Sequence, residues 1–129
     1  MRTHSRFFFF FIVALGLTVT AAYAAAKITF TPSEPRVSAA AKDPSCKIEV
    51  LESRPDRKYV KIGIINYHNE WHRTSSGDTP AKAMPQIQKR ACQAGADAIM
   101  GIQVTERKIL EFAMLNVRVA TIRFETEGP

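Results

Sequence analysis

Two histidines and a nearby glutamate carry the side chains that are best suited to hold a metal ion. His68, Glu70 and His72 lie in the run Tyr-His-Asn-Glu-Trp-His. Imidazole nitrogens are common ligands of zinc and copper, and a carboxylate adds an oxygen. In a helix both imidazoles would share one face, but the segment is typical of a strand end followed by a loop. Metal binding is therefore the alternative hypothesis, and an exposed polar loop with an aromatic anchor is the first.

The two cysteines, Cys46 and Cys92, suggest a disulfide. An even number of cysteines in an exported chain favours a bridge, and small exported domains often need one for stability. In the loop-entropy model a bridge over this separation stabilises the fold by roughly 4 kcal/mol. Two buried free thiols are the competing interpretation. Metal thiolates are a weaker one, because the spacing matches no zinc template.

Other candidate residues indicate binding rather than catalysis. Tyr67 and Trp71 could form an exposed aromatic patch that contacts a partner. Asp97, after Gly95, is interpreted as a turn carboxylate rather than a general base. The sequence contains no G-x-S-x-G elbow and no phosphate-binding glycine loop. The formal net charge is +6, but the basic residues are spread along the chain, so we expect no nucleic-acid partner.

The N-terminus has the order of a secretory signal peptide. Arg2 and Arg6 precede an apolar run over residues 7–17, and Ala22-Tyr23-Ala24 matches an A-x-A cleavage site. We expect cleavage near Ala24. The sequence then predicts four segments: a signal peptide (1–24), a flexible N-terminal arm (25–45), a globular α+β domain (46–124) and a tail (125–129).

Apolar patterning within the domain predicts two strands, one helix and two further strands. Residues 47–52 and 59–67 alternate and are interpreted as an antiparallel hairpin, with Gly63 at a bulge or a close backbone approach. A helix follows a cap at Asp78 or Thr79, and its regular part begins at Pro80 or, because of Pro85, near Ala83.

Gly95 ends this helix. Residues 98–104 predict a central strand, 106–111 a charged turn and 116–124 the last strand. The fold class is therefore α+β, a single small sheet with one helix packed on one face.

Three runs within the domain resemble a known family: Cys46-Lys-Ile-Glu-Val, Tyr59-Val-Lys-Ile-Gly63 and Ala91-Cys-Gln-Ala-Gly95-Ala-Asp97-Ala-Ile-Met-Gly101. They are similar to the RcsF-type envelope stress-sensor domain and the related YbjQ-type small heavy-metal-binding proteins, over residues 46–124. The resemblance implies a sheet-plus-helix domain without enzymatic activity. RcsF-type sensors are outer-membrane lipoproteins that signal through protein contacts. This chain has no lipobox cysteine near Ala24, and it has fewer cysteines than that sensor, so no lipid anchor is expected and no bridge pattern is transferred.

We therefore expect a non-catalytic periplasmic or secreted domain, a binding or stress-sensing module similar to the RcsF type, whose partner is an envelope protein. The alternative is a metal-binding protein that uses His68, His72 and Glu70 with zinc or copper; otherwise no cofactor is expected. A small hydrolytic or redox enzyme is the third and weakest hypothesis. We expect no stable membrane insertion once the signal peptide is removed. The sequence leaves open the oligomeric state and the choice between periplasm and extracellular space.

Overall fold

The computed structural model describes residues 26–37 and 39–126, and in this part of the chain one helix packs on one face of a five-stranded sheet. The predicted signal peptide and residues 127–129 of the predicted tail lie outside the described residues. The sheet order is β1-β3-β5-β4-β2. The elements are β1 (Lys27–Pro32), β2 (Glu49–Val50), β3 (Tyr59–His72), α1 (Pro80–Gln93), β4 (Ala98–Ile109) and β5 (Phe112–Phe124).

The two central strands follow the alternation that the sequence predicts, although both are longer. In β5 the side chains of Leu115, Val117 and Val119 are buried, and the residues between them face the other side. In β3 the same holds for Ile65 and Tyr67. These two strands pair antiparallel along their whole length. The α+β class is therefore confirmed.

The helix begins at Pro80 and not at Ala83. Thr79 caps it, because its hydroxyl accepts a hydrogen bond from the Lys82 backbone N–H at 3.2 Å. Pro85 lies inside the helix on its exposed side, where it removes one backbone donor. The opposite face buries Ala83, Ile87, Ala91 and Cys92 against the sheet.

Gly95 ends the helix as predicted, with a φ of 82°. A Cβ there would lie 2.5 Å from the Ala40 carbonyl oxygen, so the segment before β2 closes directly over the helix end. The Cys46–Cys92 disulfide fastens the same two regions, with 5.9 Å between the Cα atoms, and confirms the predicted bridge. In the described part of the chain, no helix is long and apolar enough to cross a membrane.

The predicted antiparallel hairpin between the first two strands is wrong. Residues 47–52 contribute only the short β2, which pairs in parallel with β4 through Glu49–Ala98 and Val50–Ile99. On the side of β3 that does not pair with β5, the neighbouring strand is β1, which lies inside the segment predicted as a flexible arm. Phe30 of β1 lies over Gly63, where a Cβ would come within 2.4 Å of the ring. The predicted bulge at Gly63 is confirmed by a register shift in β3.

The last hairpin also differs from the prediction. Residues 106–109, expected in a charged turn, continue β4, and only Leu110 and Glu111 form the connection to β5. Strand β4 was expected to be central. It is flanked by β2 only at Ala98 and Ile99, so beyond this point it is the edge of the sheet. Pairing with β5 holds this charged segment extended.

Candidate functional site

The predicted metal-binding residues share one face of the sheet. Because β3 continues to His72, the side chains of His68, Glu70 and His72 alternate with the buried Tyr67 and the partly buried Asn69 and Trp71, and face away from the helix. Their partners on β5 are Asn116, Met114 and Phe112. The predicted strand end and loop at these positions are therefore wrong, because pairing with β5 keeps the polar residues extended.

His68 and Glu70 are brought into contact. The His68 Nε2 atom lies 2.9 Å from Glu70 Oε1, and its Nδ1 atom lies 2.5 Å from Asn116 Oδ1. Both neighbours are acceptors, so the protonated ring satisfies both contacts. The hydrogen bond with Asn116 raises the pKa of His68 and Glu70 adds to the rise, against the opposing effect of burial. A proton therefore competes for the nitrogens that a metal would need.

His72 has a different set of neighbours. Its Nδ1 atom lies 2.6 Å from the Thr74 hydroxyl and its Nε2 atom 3.5 Å from Glu111 Oε2. The edge of the Phe112 ring packs against the imidazole, with 5.8 Å between centroids. Among residues 26–37 and 39–126, no group of three or more His, Cys, Asp or Glu side chains is placed to hold a metal ion.

The predicted aromatic patch is for the most part inside the protein. Tyr67 is only 2 % exposed, because it lies on the helix-facing side of β3, and Trp71 on the same side is half-buried. The indole lies over Gly77, where a Cβ would come within 2.6 Å of Nε1. Tyr67 therefore cannot contact a partner as a surface residue, and a contact through Trp71 stays a prediction.

Tyr67 instead anchors the loop before the helix. Its hydroxyl donates to Asp78 Oδ2, and Asn69 Nδ2 donates to the same oxygen at 2.8 Å. Asp78 Oδ1 accepts from the Thr79 backbone N–H at 2.8 Å. Burial, followed by Asp78, raises the pKa of Tyr67 to about 12. The phenol therefore keeps its proton near neutral pH, and its role is structural.

Asp97 is a second structural carboxylate, although it bonds groups distant in sequence and not the local amides of the predicted turn. Its Oδ2 atom accepts from the Phe124 backbone N–H at 2.7 Å, and Oδ1 pairs with Lys42. Its backbone carbonyl accepts from Glu49 at 3.2 Å. Burial acts to raise the pKa of Asp97, but the hydrogen bonds from Lys42 and Phe124 outweigh it and hold the pKa below its usual value.

Exposed apolar side chains along the β4–β5 hairpin were not predicted from the sequence. The described residues include six exposed large hydrophobic side chains, and five of them belong to this hairpin. Leu110 is 85 % exposed. We call the five residues the hairpin surface: Ile102, Val104, Ile109, Leu110 and Phe112. Charged and exposed Glu106, Arg107, Lys108 and Glu111 lie among them.

Leu110 is also strained. It occupies the first position of the two-residue connection between Ile109 and Phe112, with a φ of 54°. Glycine usually holds this position, because a side chain in the left-handed region costs about 1–2 kcal/mol. The sequence does show Leu110 as an apolar residue among charged ones, but this pattern indicates an exposed site only once the position of the turn is known.

The outer side of β4 forms a second unpredicted feature, the open edge (residues 101–109). Within the described part of the chain no strand pairs with it, and all these residues are exposed. Alternate backbone N–H and C=O groups of an edge strand point outwards and can pair with another chain.

No family model and no curated protein sequence matches this chain. Among solved structures, the chain is similar to the crystal structure of a Francisella virulence factor, FvfA, with 21 % sequence identity and a TM-score of 0.49. The alignment covers 75 % of this chain and 98 % of that one. At this level of similarity the match assigns no function.

Proposed function

We propose that this chain is a non-catalytic binding domain of the cell envelope and that it recognises a protein partner through the hairpin surface. The observation that carries the proposal is the concentration of exposed apolar side chains on the β4–β5 hairpin. Ile109, Leu110 and Phe112 lie together at the tip of the hairpin, and Val104 lies on the other face, opposite Val117. Exposed large apolar side chains set among charged residues in this way mark protein-binding sites.

The strain at Leu110 supports the same function. An exposed leucine at a positive φ lowers stability in two ways, through the backbone and through contact with water. Residues that break a local rule without a structural gain are characteristic of functional sites. A partner that buries the Leu110 side chain provides that gain.

The disulfide supports a location outside the cytosol. Cys46 and Cys92 are bonded, and such bridges persist in oxidising compartments. Together with the signal-peptide pattern of residues 1–24, this favours the periplasm or the extracellular space. The stress-sensing role and the envelope partner rest on the RcsF-type resemblance of residues 46–124.

The experiment that tests the binding function separates it from folding. Replacing Leu110 with glycine removes the apolar side chain and relieves the strained backbone. We expect Leu110→Gly to be equally or more stable in urea, while its yield of partner after chemical crosslinking in intact envelopes falls by about tenfold. Lys89→Gly, on the exposed side of the helix, is the control that should keep the partner. An unchanged yield for Leu110→Gly contradicts the proposal.

Metal binding at His68, Glu70 and His72 is the second candidate, because the three side chains share one face of β3 and His68 contacts Glu70. A metal ion there has to displace the proton that this contact holds on His68. Titration with zinc or copper, followed through the imidazole proton resonances, tests it directly. Loss or shift of the His68 and His72 resonances at micromolar metal supports this candidate. Unchanged resonances up to millimolar metal remove it.

A further inference from the structure

The open edge has two natural ends. At one end β2 occupies Ala98 and Ile99, and the Leu51 backbone N–H donates to the Ile99 carbonyl at 2.9 Å. At the other end the hairpin turns at Leu110. Residues 101–109 between these points form a slot roughly 30 Å long at the usual rise per residue. An extended strand of the same length fills it.

We propose that the occupant of this slot is the same segment of a second copy of this chain. The two open edges pair antiparallel around a two-fold axis perpendicular to the sheet, with Thr105 of each copy opposite the other. Gln103 then lies opposite Arg107, and Ile109 lies beside Gly101, where β4 has a bulge between Met100 and Gln103. Each slot is filled along its whole length, and the two sheets join into one.

Geometry and charge select this register. A two-fold axis perpendicular to the sheet preserves its two faces, so opposed residues are both odd-numbered or both even-numbered. The sum of the residue numbers of an opposed pair therefore changes by two from one possible register to the next. One step in one direction drives Ile109 onto Ile99, where β2 already pairs. One step in the other direction places Glu106 of one copy opposite Glu106 of the other. A second step does the same for Arg107. Opposed like charges destabilise a sheet.

The side chains in the selected register complement one another. Thr105–Thr105 and Gln103–Arg107 are pairs that can form hydrogen bonds. The aliphatic parts of Lys108 and Glu106 lie beside Ile102 and Val104. Gly101 has a φ of 63° and open space where a Cβ would be, and the half-exposed Ile109 of the other copy covers that space.

This inference rests on the proposed function, because it names the partner of part of the hairpin surface. Sedimentation equilibrium of the purified, disulfide-bonded chain measures the association. We expect a reversible dimer at micromolar concentrations. A monomer at all concentrations overturns the self-pairing. If the monomer still loses envelope crosslinks in Leu110→Gly, the binding function stands with a different partner.

Cysteine crosslinking tests the register. Thr105→Cys places two thiols on the two-fold axis, so we expect oxidised glutathione to convert the variant into a covalent dimer. Thr29→Cys is the matched control, because Thr29 is exposed on β1, the opposite edge strand of the sheet. Equal dimer yields from both variants, or none from Thr105→Cys, overturn the assignment.

A charge exchange provides an independent test. In the proposed register Val104 lies opposite Glu106, in the regular part of β4. Val104→Glu therefore creates two opposed glutamate pairs and should raise the dimer dissociation constant by about tenfold. Adding Glu106→Lys to the same chain turns both pairs into salt bridges and should restore dimerisation. Circular dichroism checks that both variants are folded. Failure of the second substitution to restore the dimer contradicts the register.

Discussion

Replacing Tyr67 with phenylalanine removes one hydrogen bond and leaves the buried ring in place. The Tyr67 hydroxyl donates to Asp78. Without it, the Asp78 carboxylate keeps the hydrogen bonds from Asn69 and from the Thr79 backbone. A hydrogen bond to a charged group contributes about 1.5–3 kcal/mol, and the remaining donors place this one at the lower end. We expect Tyr67→Phe to lower the free energy of unfolding by about 1.5 kcal/mol at pH 7.

The effect of Tyr67→Phe on the free energy of unfolding should also depend on pH. The pKa of Tyr67 is raised to about 12 in the folded protein, against about 10 in an unfolded chain. Its contribution to stability is therefore complete below pH 10 and is lost as the pH rises through 12. Over this range the difference in the free energy of unfolding between the wild type and Tyr67→Phe should therefore shrink.

Urea unfolding at pH 7, 10 and 11 measures both effects. Tyr59→Phe is the control, since the Tyr59 hydroxyl lies on the same strand at a half-buried position. Equal stabilities of the two variants at pH 7, or a Tyr67→Phe difference that does not change with pH, would refute the anchoring role of Tyr67.

Three other predictions concern the disulfide, the β1 strand and the loss of stability at low pH. Replacing both Cys46 and Cys92 with alanine should lower the free energy of unfolding in urea by about 4 kcal/mol, since the unfolded chain regains the entropy of the closed loop; a loss below 1 kcal/mol contradicts this. Gly63→Ala should cost about 1–3 kcal/mol by overpacking against Phe30, and the amides of β1 should then exchange faster than those of β5; uniform exchange across both strands would show that the effect is not local. Asp97 has a lowered folded pKa, so its contribution is present above the unfolded value and is lost as the pH falls through the folded one. Asp97→Asn should therefore flatten the fall in stability as the pH drops below about 4, the usual pKa of an aspartate; an unchanged pH dependence in this range argues against the role of this carboxylate.

The helix and the central strands could be predicted because their signals are local. Thr79 caps the helix, Gly95 ends it, and alternation in β3 and β5 marks the buried faces. The cysteine pair was also predictable, since the chain contains two cysteines and a signal-peptide pattern.

The strand neighbours could not be predicted, because they depend on contacts distant in sequence. Strand β1 docks on β3 since Phe30 fits the space over Gly63. Strand β2 pairs with β4 in parallel, where Asp97 and the disulfide hold its chain. The alternation of residues 47–52 indicates a strand but does not show which strand it pairs with.

The candidate site was only partly predictable for the same reason. The sequence identified His68, Glu70 and His72 as candidate ligands, but their common face depends on the full length of β3, and metal binding by them stays a prediction. The hairpin surface was missed because its strand carries charges that are typical of a turn. Pairing with β5 converts these residues into strand and leaves Leu110 at the tip.

Site-specific photocrosslinking in intact envelopes tests the central claim, that the hairpin surface binds a protein partner, most directly. A photoreactive amino acid is placed in turn at positions 102, 104, 109, 110 and 112, and at the exposed control positions 29, 81 and 89. We expect a protein adduct of one defined mass at the hairpin positions, strongest at 110, and none at the controls. Adducts that centre on the controls, or that form equally at every position, would contradict it.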